Sequence, residues 1–189
     1  MKWKNVGVLL LIVAAVAGTV WFYAAKGGEK ETAVGAVHCQ GEPQPDEGYC
    51  APNFKLATID GRSVELSQND GKPTVVNFWT TWCGYCKEEM PYFQKAYNHN
   101  KNRVNFIMVN MTAMERKPEE VALFLKENHY TFPVAMDPVK NGQTVGIDQY
   151  HLFGVPATFV VGTDGKILHK FVGGIKEQDL FSVINQLVK

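Results

Sequence analysis

Two cysteines three positions apart, Cys83 and Cys86, stand in the segment Trp82-Cys83-Gly84-Tyr85-Cys86. Just before them runs TVVNFW (residues 74–79), dense in β-branched and aromatic residues, and after them Met90, Phe93 and Tyr97 recur at helical spacing. A thiol at such a strand-to-helix junction sits among backbone N–H groups that no turn has satisfied, at the positive end of the helix dipole. That setting lowers its pKa and makes it a nucleophile at neutral pH. Cys83 is expected to attack a disulfide in a partner, and Cys86, one turn further in and more buried, to resolve the mixed disulfide. Competing uses of the pair fit less well. Zinc needs two further ligands at finger-like spacing, which Cys39, Cys50 and the five scattered histidines do not supply. Attachment of c-type haem needs His after the second Cys, where Lys87 stands. A purely structural bond would close too short a loop to stabilise much.

The elements that must position the pair follow from the same periodicities. Phe54, Leu56 and Ile59, a turn at Asp60-Gly61, then Val64 and Leu66 suggest a hairpin. Residues 74–79 read as a fully buried central strand, residues 83–98 as a helix and residues 104–111 (VNFIMVNM) as a second buried strand, together a right-handed βαβ unit. Pro118 suits the first turn of a helix with a Val121, Phe124 and Leu125 face, which ends before Phe132-Pro133-Val134. A short helix is expected around residues 144–150. Strands at 157–161 and 166–172 flank the turn signal at 162–165, and an amphipathic helix over 178–188 ends the chain. The sum is α/β, a mixed central sheet with helices on both faces.

Composition divides the 189 residues into unlike parts. The formal charge is zero, so no basic excess is available for a phosphate backbone, and no nucleic-acid partner is expected. With 46% apolar and 12% aromatic residues the chain can bury a core, which excludes a wholly disordered protein. Residues 1–25 carry only Lys2 and Lys4 as charges, and residues 6–25 carry none. Twenty helical residues span roughly the 30 Å of a bilayer core. Trp3, Trp21, Phe22 and Tyr23 suit its interfaces, and the two lysines favour a cytoplasmic N-terminus. An uncleaved transmembrane signal-anchor over 1–25 is the expectation, with a cleaved secretory signal as its alternative; both export the body. Residues 26–50, rich in Gly, Glu and Pro, read as an extracytoplasmic tether, and residues 51–189 as the catalytic domain. The localisation implied is the cell membrane, single-pass.

The run from Asn77 through Cys83 and Cys86 to Pro91 (NFWTTWCGYCKEEMP) resembles the active-site segment of the thioredoxin superfamily, in particular its membrane-anchored ResA/TlpA-like branch. The resemblance extends from about Ala51 to the C-terminus and implies a thioredoxin-like fold. Gly154-Val155-Pro156-Ala157-Thr158-Phe159 is similar to the family's loop in which a cis proline faces the cysteines. A cis X-Pro bond costs little beyond trans and leaves the backbone of Val155 free to pair with an extended substrate peptide. Without the resemblance, Pro156 reads as a turn or strand-start proline. Trp82, Val155 and Pro156 are accordingly expected to bind substrate, and Pro91 matches the fold's kink proline.

Glu89 stands three positions after Cys86, on a neighbouring helix face where a partly buried carboxylate can exchange protons with the thiols. The alternative, a solvated surface glutamate, suits Glu88 better. Thioredoxin carries a buried Asp on its central strand; the matching Asn77 cannot titrate, so the resemblance passes proton handling to Glu89. One departure bears on the direction of electron flow. Gly84-Tyr85 lacks the proline common at the second position, and Tyr85 restores a backbone donor able to stabilise a thiolate and make the pair more oxidising. Cys39 and Cys50 are expected as a structural disulfide, with an accessory redox pair relaying electrons to Cys83 as the alternative. The histidines show no ligand spacing, His38 beside Cys39 suggesting copper only weakly, and neither cofactor nor metal is expected. By resemblance, the activity is protein-disulfide reduction on exported proteins, such as apocytochrome c before haem attachment or a protein of the spore envelope. A membrane donor of the CcdA type would regenerate the dithiol. Thiol oxidase or isomerase activity, or a copper-binding module on the same fold, is the alternative. A peroxidase would use a lone cysteine, whereas Cys83 is paired.

Overall fold

The computed structural model describes residues 39–188. The expected anchor (1–25), the first part of the tether (26–38) and His38 lie outside the described residues. Among the described residues, no helix is long and apolar enough to cross a membrane.

A short antiparallel hairpin, β1 (Lys55–Ala57) and β2 (Ser63–Glu65), opens the domain. The run TVVNFW forms β3 (Thr74–Trp79), buried at all six positions. It passes into α1 (Gly84–Asn100), then β4 (Asn105–Asn110), a 3-10 turn (Thr112–Met114), a second (Pro118–Glu120) leading into α2 (Val121–Glu127), and β5 (Val134–Met136). After a π-helical turn (Val145–Gln149) come β6 (Ala157–Val161), β7 (Ile167–Val172) and α3 (Glu177–Leu187). The sheet order is β5-β4-β3-β6-β7. Strands β3, β4 and β5 are parallel neighbours, while β6 and β7 run antiparallel, so the sheet is mixed. This is a thioredoxin-like α/β arrangement with β3 at its centre.

Alternation along β3 divides the core. Val75 and Trp79, with Phe106 and Met108 of β4, pack against Met90 and Phe93 of α1, Val121 and Leu125 of α2, and Leu180 and Ile184 of α3. Val76 and Phe78, with Ile107 and Val109, face Phe54, Leu66, Tyr150 and Phe159. All three α-helices thus serve one face. The second is covered by the hairpin segment and by the π turn that stands where a regular short helix was expected. Asp137 explains that turn: its carboxylate oxygens accept the Val145 and Gly146 N–H groups, each at 2.8 Å. Gly146 is pressed so close to Met111 that a Cβ would stand 2.6 Å from its Cε. The two crossovers β3–α1–β4 and β4–α2–β5 advance in one direction across the sheet, and crossovers of one hand then place both helices on the same face.

The stretch 39–50, which its composition marks as tether, is built into the domain. Cys39 and Cys50 are disulfide-bonded. Gly48 N–H donates to the Ile167 carbonyl at 2.8 Å, and Ile167 N–H to that of Tyr49 at 2.9 Å. The Lys170 ammonium meets Asp46 at 2.7 Å. Strand β7 is at the edge of the sheet, and this segment supplies partners for part of its outward backbone. No apolar periodicity accompanies such backbone pairing, hence its absence from the sequence pattern.

Tyr150 ties the two ends of the second core together. Its ring packs edge-on to Phe159 with centroids 4.9 Å apart, and its hydroxyl donates to the Pro52 carbonyl at 2.9 Å. Tyr150→Phe is expected to lower the unfolding free energy in urea by about 1–3 kcal/mol by stranding that buried carbonyl. An unchanged midpoint would show that the bond contributes nothing net.

Candidate active site

The cysteine pair is placed by the end of β3. After Trp79 the chain turns through Thr80-Thr81-Trp82, and Cys83 becomes the N-cap of α1 with extended backbone angles (φ −77°, ψ 119°). Its Sγ accepts the Cys86 N–H at 3.1 Å, one of the donors that a helix start leaves unmatched. Negative charge developing on that sulfur is stabilised by this N–H and by the helix dipole, and no acidic residue in the first turn opposes it. The donor bonded to that sulfur is the Cys86 N–H, and the Tyr85 residue beside it is 68% exposed. Cys83 and Cys86 are disulfide-bonded; both are buried, Cys86 completely.

Opposite the pair stands the loop before β6. The Val155–Pro156 bond is cis, and the Val155 carbonyl oxygen lies 3.6 Å from Cys83 Sγ. Gly173 N–H, just after β7, donates to the Pro156 carbonyl at 2.9 Å and holds the loop to the sheet. Trp82 forms the other flank, with its indole N–H donating to the Met114 carbonyl at 3.0 Å. The structure therefore brings Trp82, Cys83, Cys86, Val155 and Pro156 together.

Glu89 is buried beneath them. Its two oxygens accept from Asn77 Nδ2 at 2.8 Å and from Ile175 N–H at 2.9 Å. Asn77, at the centre of β3, also donates to Thr158 Oγ1 at 3.0 Å. Burial pushes the Glu89 carboxyl up from its ordinary 4.5 to about 7, while the bonds from Ile175 and Asn77 pull the other way. A carboxyl group held near neutral, one turn beyond Cys86, is suited to giving and taking a proton at the pH where thiol exchange runs.

Some contributors had no signature in the sequence. Glu115 accepts Thr81 N–H at 2.7 Å and the Thr81 hydroxyl at 2.6 Å, and also Asn110 Nδ2 at 2.7 Å, fastening the turn that leads into Cys83. Ile175 acts only through its backbone. Phe153, 98% exposed, and Val172, 76% exposed, stand near the Val155 loop. The only hint for Glu115 was its place just beyond the C-terminal end of a parallel strand, where ligand-handling loops of α/β sheets gather. Cys39 and Cys50 lie elsewhere. Cys50 bridges to Lys166 at the end of the sheet where Val161 pairs with Thr74, and the six residues of β3 separate that end from Cys83 by about 20 Å. Among the described residues, no three or more His, Cys, Asp or Glu side chains gather as a metal cage.

A dithiol at the start of a helix, facing a cis-proline loop on a mixed five-stranded sheet, defines the thioredoxin-like redox class. The chain belongs to the Redoxin family, whose model matches residues 46–187, and within it to the ResA/StoA type of thiol-disulfide oxidoreductase. It is 31% identical to Sporulation thiol-disulfide oxidoreductase A of Bacillus subtilis, over 91% of this chain and 93% of that protein. To Thiol-disulfide oxidoreductase ResA of the same organism it is also 31% identical, over 95% of this chain and 89% of that one. The crystal structure of StoA from Bacillus subtilis superposes with a TM-score of 0.60 at 29% identity, covering 69% of this chain and 95% of that one. The protein is a thiol-disulfide oxidoreductase.

The raised Glu89 carboxyl has a consequence for stability. In the unfolded chain it ionises near 4.5 and in the fold near 7, so between these values the native state binds more protons. Its contribution to stability is full below pH 4.5 and is lost as pH rises to about 7. Urea unfolding of the wild-type protein is expected to show a decline over this window that Glu89→Gln lacks. Parallel profiles for the two proteins would exclude a raised carboxyl.

Proposed function

We propose that the chain is an extracytoplasmic, membrane-anchored protein-disulfide reductase, with residues 1–25 as anchor, acting on exported proteins. The observation that carries the chemistry is the seating of Cys83 Sγ between the Cys86 N–H and the Val155 carbonyl. The attacking sulfur there is electrostatically favoured, and an extended client backbone has a strand-like loop to lie along. Three exposed apolar side chains, Tyr85, Phe153 and Val172, stand on the segments that meet at this point. Exposed apolar side chains on the segments around a reactive sulfur suit a polypeptide client rather than a small polar thiol.

The cycle balances as follows. Cys83 thiolate attacks one sulfur of the client disulfide, and the other sulfur leaves as a thiolate that takes a proton from solvent. Cys86 gives its proton to the Glu89 carboxylate and attacks Cys83 Sγ. The client cysteine is released as a thiolate and is protonated by Glu89. The client gains two electrons and two protons, and the protein is left with the Cys83–Cys86 disulfide. A membrane dithiol donor of the CcdA type would return the electrons. Apocytochrome c and proteins of the spore envelope are the proposed clients, the second supported by the word sporulation in the name of the Bacillus subtilis relative. The bond between Cys39 and Cys50 we assign a structural role, since about 20 Å of sheet keeps it from exchanging with Cys83 within one molecule.

Expressed in intact cells, the Cys86→Ser protein is expected to accumulate mixed disulfides on Cys83 with exported proteins, resolved by non-reducing electrophoresis and identified by mass spectrometry. If no partner accumulates, reduction of protein disulfides is not its task. Replacing Cys39 and Cys50 together by Ser should lower the unfolding free energy by about 2–3 kcal/mol, the loop-closure value for a loop of this size, and leave the Cys83–Cys86 potential unchanged. A shifted potential would instead couple the two pairs.

A further inference from the structure

Thr80, Thr81 and Trp82 carry the chain from the end of β3 to the N-cap of α1. Among the described residues, none of them makes a backbone-to-backbone hydrogen bond, and the Thr80 hydroxyl is buried without a partner. What holds the turn is the loop after β4. Glu115 Oε1 accepts the Thr81 N–H at 2.7 Å, Glu115 Oε2 accepts the Thr81 hydroxyl at 2.6 Å, and the Met114 carbonyl accepts the Trp82 indole N–H at 3.0 Å. We infer that Glu115 is a positioning residue for thiol-disulfide exchange: by holding Thr81 it keeps Cys83 Sγ on the Cys86 N–H and opposite the Val155 carbonyl, and so sets how much thiolate Cys83 carries and how fast it attacks. Such positioning serves reduction and oxidation of clients alike, whichever way the electrons flow.

Glu115 is itself fixed to the sheet. Its Oε1 also accepts Asn110 Nδ2 at 2.7 Å, and Asn110, fully buried, is the last residue of β4 and lies in register with Trp79 at the end of β3. The Thr112 hydroxyl donates to the Asn110 carbonyl at 3.1 Å and lies 3.2 Å from the Asn110 side-chain oxygen, which leaves the amide nitrogen facing Glu115. The Met111 N–H donates to the Trp79 carbonyl at 2.9 Å, so the loop that carries Glu115 starts from the same fixed end of the sheet as the turn that it holds.

Distance makes this hold chemical as well as structural. The Cys86 N–H reaches Cys83 Sγ at 3.1 Å, and a hydrogen bond weakens steeply once its angle departs from the optimum. Cys83 is the residue at which the chain leaves the turn, with Trp82 alone between it and Thr81, so a rotation at Thr81 is passed on to the sulfur. A shift of about 1 Å there weakens the bond that stabilises the thiolate and misaligns the attack on a client disulfide.

Position and charge separate cleanly at this residue. In Glu115→Gln the side-chain oxygen still accepts from Thr81 N–H and Asn110 Nδ2, and the new amide nitrogen donates to Thr81 Oγ1, since a hydroxyl accepts as well as donates. All three bonds are kept, one of them reversed, and the negative charge is gone. Glu115→Ala removes all three.

Two measurements on the full chain test the assignment. In a Cys86→Ser background, alkylation of Cys83 by iodoacetamide, followed by mass spectrometry against pH, reports the Cys83 thiolate; with both cysteines present, thionitrobenzoate release from Ellman's reagent reports the rate of attack. Glu115→Ala is expected to move the Cys83 titration upward by about one pH unit and to slow attack at neutral pH about tenfold. Glu115→Gln should stay within about twofold of the wild type in both, because its bonds are remade. Lost folding stability alone would lower the urea midpoint without moving the titration of the folded protein. Thr81→Val, which keeps the Thr81 N–H bond and loses only the hydroxyl, should slow attack about threefold, and it decides the matter if Glu115→Ala does not fold. Equal behaviour of Glu115→Ala and Glu115→Gln, or a downward shift of the titration in Glu115→Ala, overturns the positioning role, as does an unaffected Thr81→Val protein where Glu115→Ala does not fold. A wild-type chain that fails to react with Ellman's reagent would overturn the dithiol chemistry itself.

Discussion

The start of α1 has to be held against the Val155 loop, and the rest of the domain is organised around that constraint. A helix N-terminus offers unmatched N–H groups wherever it occurs, but they become useful only when one sulfur is fixed among them and a second backbone faces it across a few ångströms. Strand β3 supplies the fixed point. All six of its residues are buried and paired to β4, and Thr74 through Phe78 are paired to β6 as well, which fixes the start of the turn that follows. The partner loop comes from the strand adjacent to β3, and the sheet itself therefore sets the 3.6 Å separation between Cys83 Sγ and the Val155 carbonyl.

The same joint carries its electrostatics internally. Glu89 of α1 is bonded to Asn77 of β3 and to the backbone of Ile175 ahead of α3, so one carboxyl group links helix, sheet and the approach to the last helix. Burial of a carboxylate is unfavourable, and two hydrogen bonds offset only part of that cost, leaving the carboxyl near 7 rather than in its usual range. A group tuned in this way costs stability as pH rises, which is the familiar exchange between stability and function at a reactive centre.

The molecule keeps its two disulfides at opposite ends of the sheet. Cys83 and Cys86 stand where β3 ends, and Cys50 is paired to the start of β7 at the other end. The segment from Cys39 completes the edge of β7 by backbone hydrogen bonds, and the covalent bond closes it on itself. Residues 39–50 are thereby held at the end of the sheet away from Cys83.

Much of this was legible in the residues themselves. The run TVVNFW defined β3 to the residue, because burial on both faces calls for β-branched and aromatic residues along its whole length. The placing of Cys83 and Cys86 at a helix start was legible in spacing and junction, and that of Glu89 in its position one turn beyond. Backbone pairing without apolar periodicity hid the docking of residues 39–50, and the π turn at Val145–Gln149 depends on Asp137, eight residues away in sequence. Glu115 and Ile175 act on Thr81 and Glu89 across 34 and 86 positions, distances at which local pattern carries no information. The sequence by itself determined which sulfurs stand at the start of α1, because a strand-to-helix junction is a local property. Only the tertiary structure decided what surrounds them, because a carboxyl's pKa and a loop's approach arise from residues that meet only when the sheet closes.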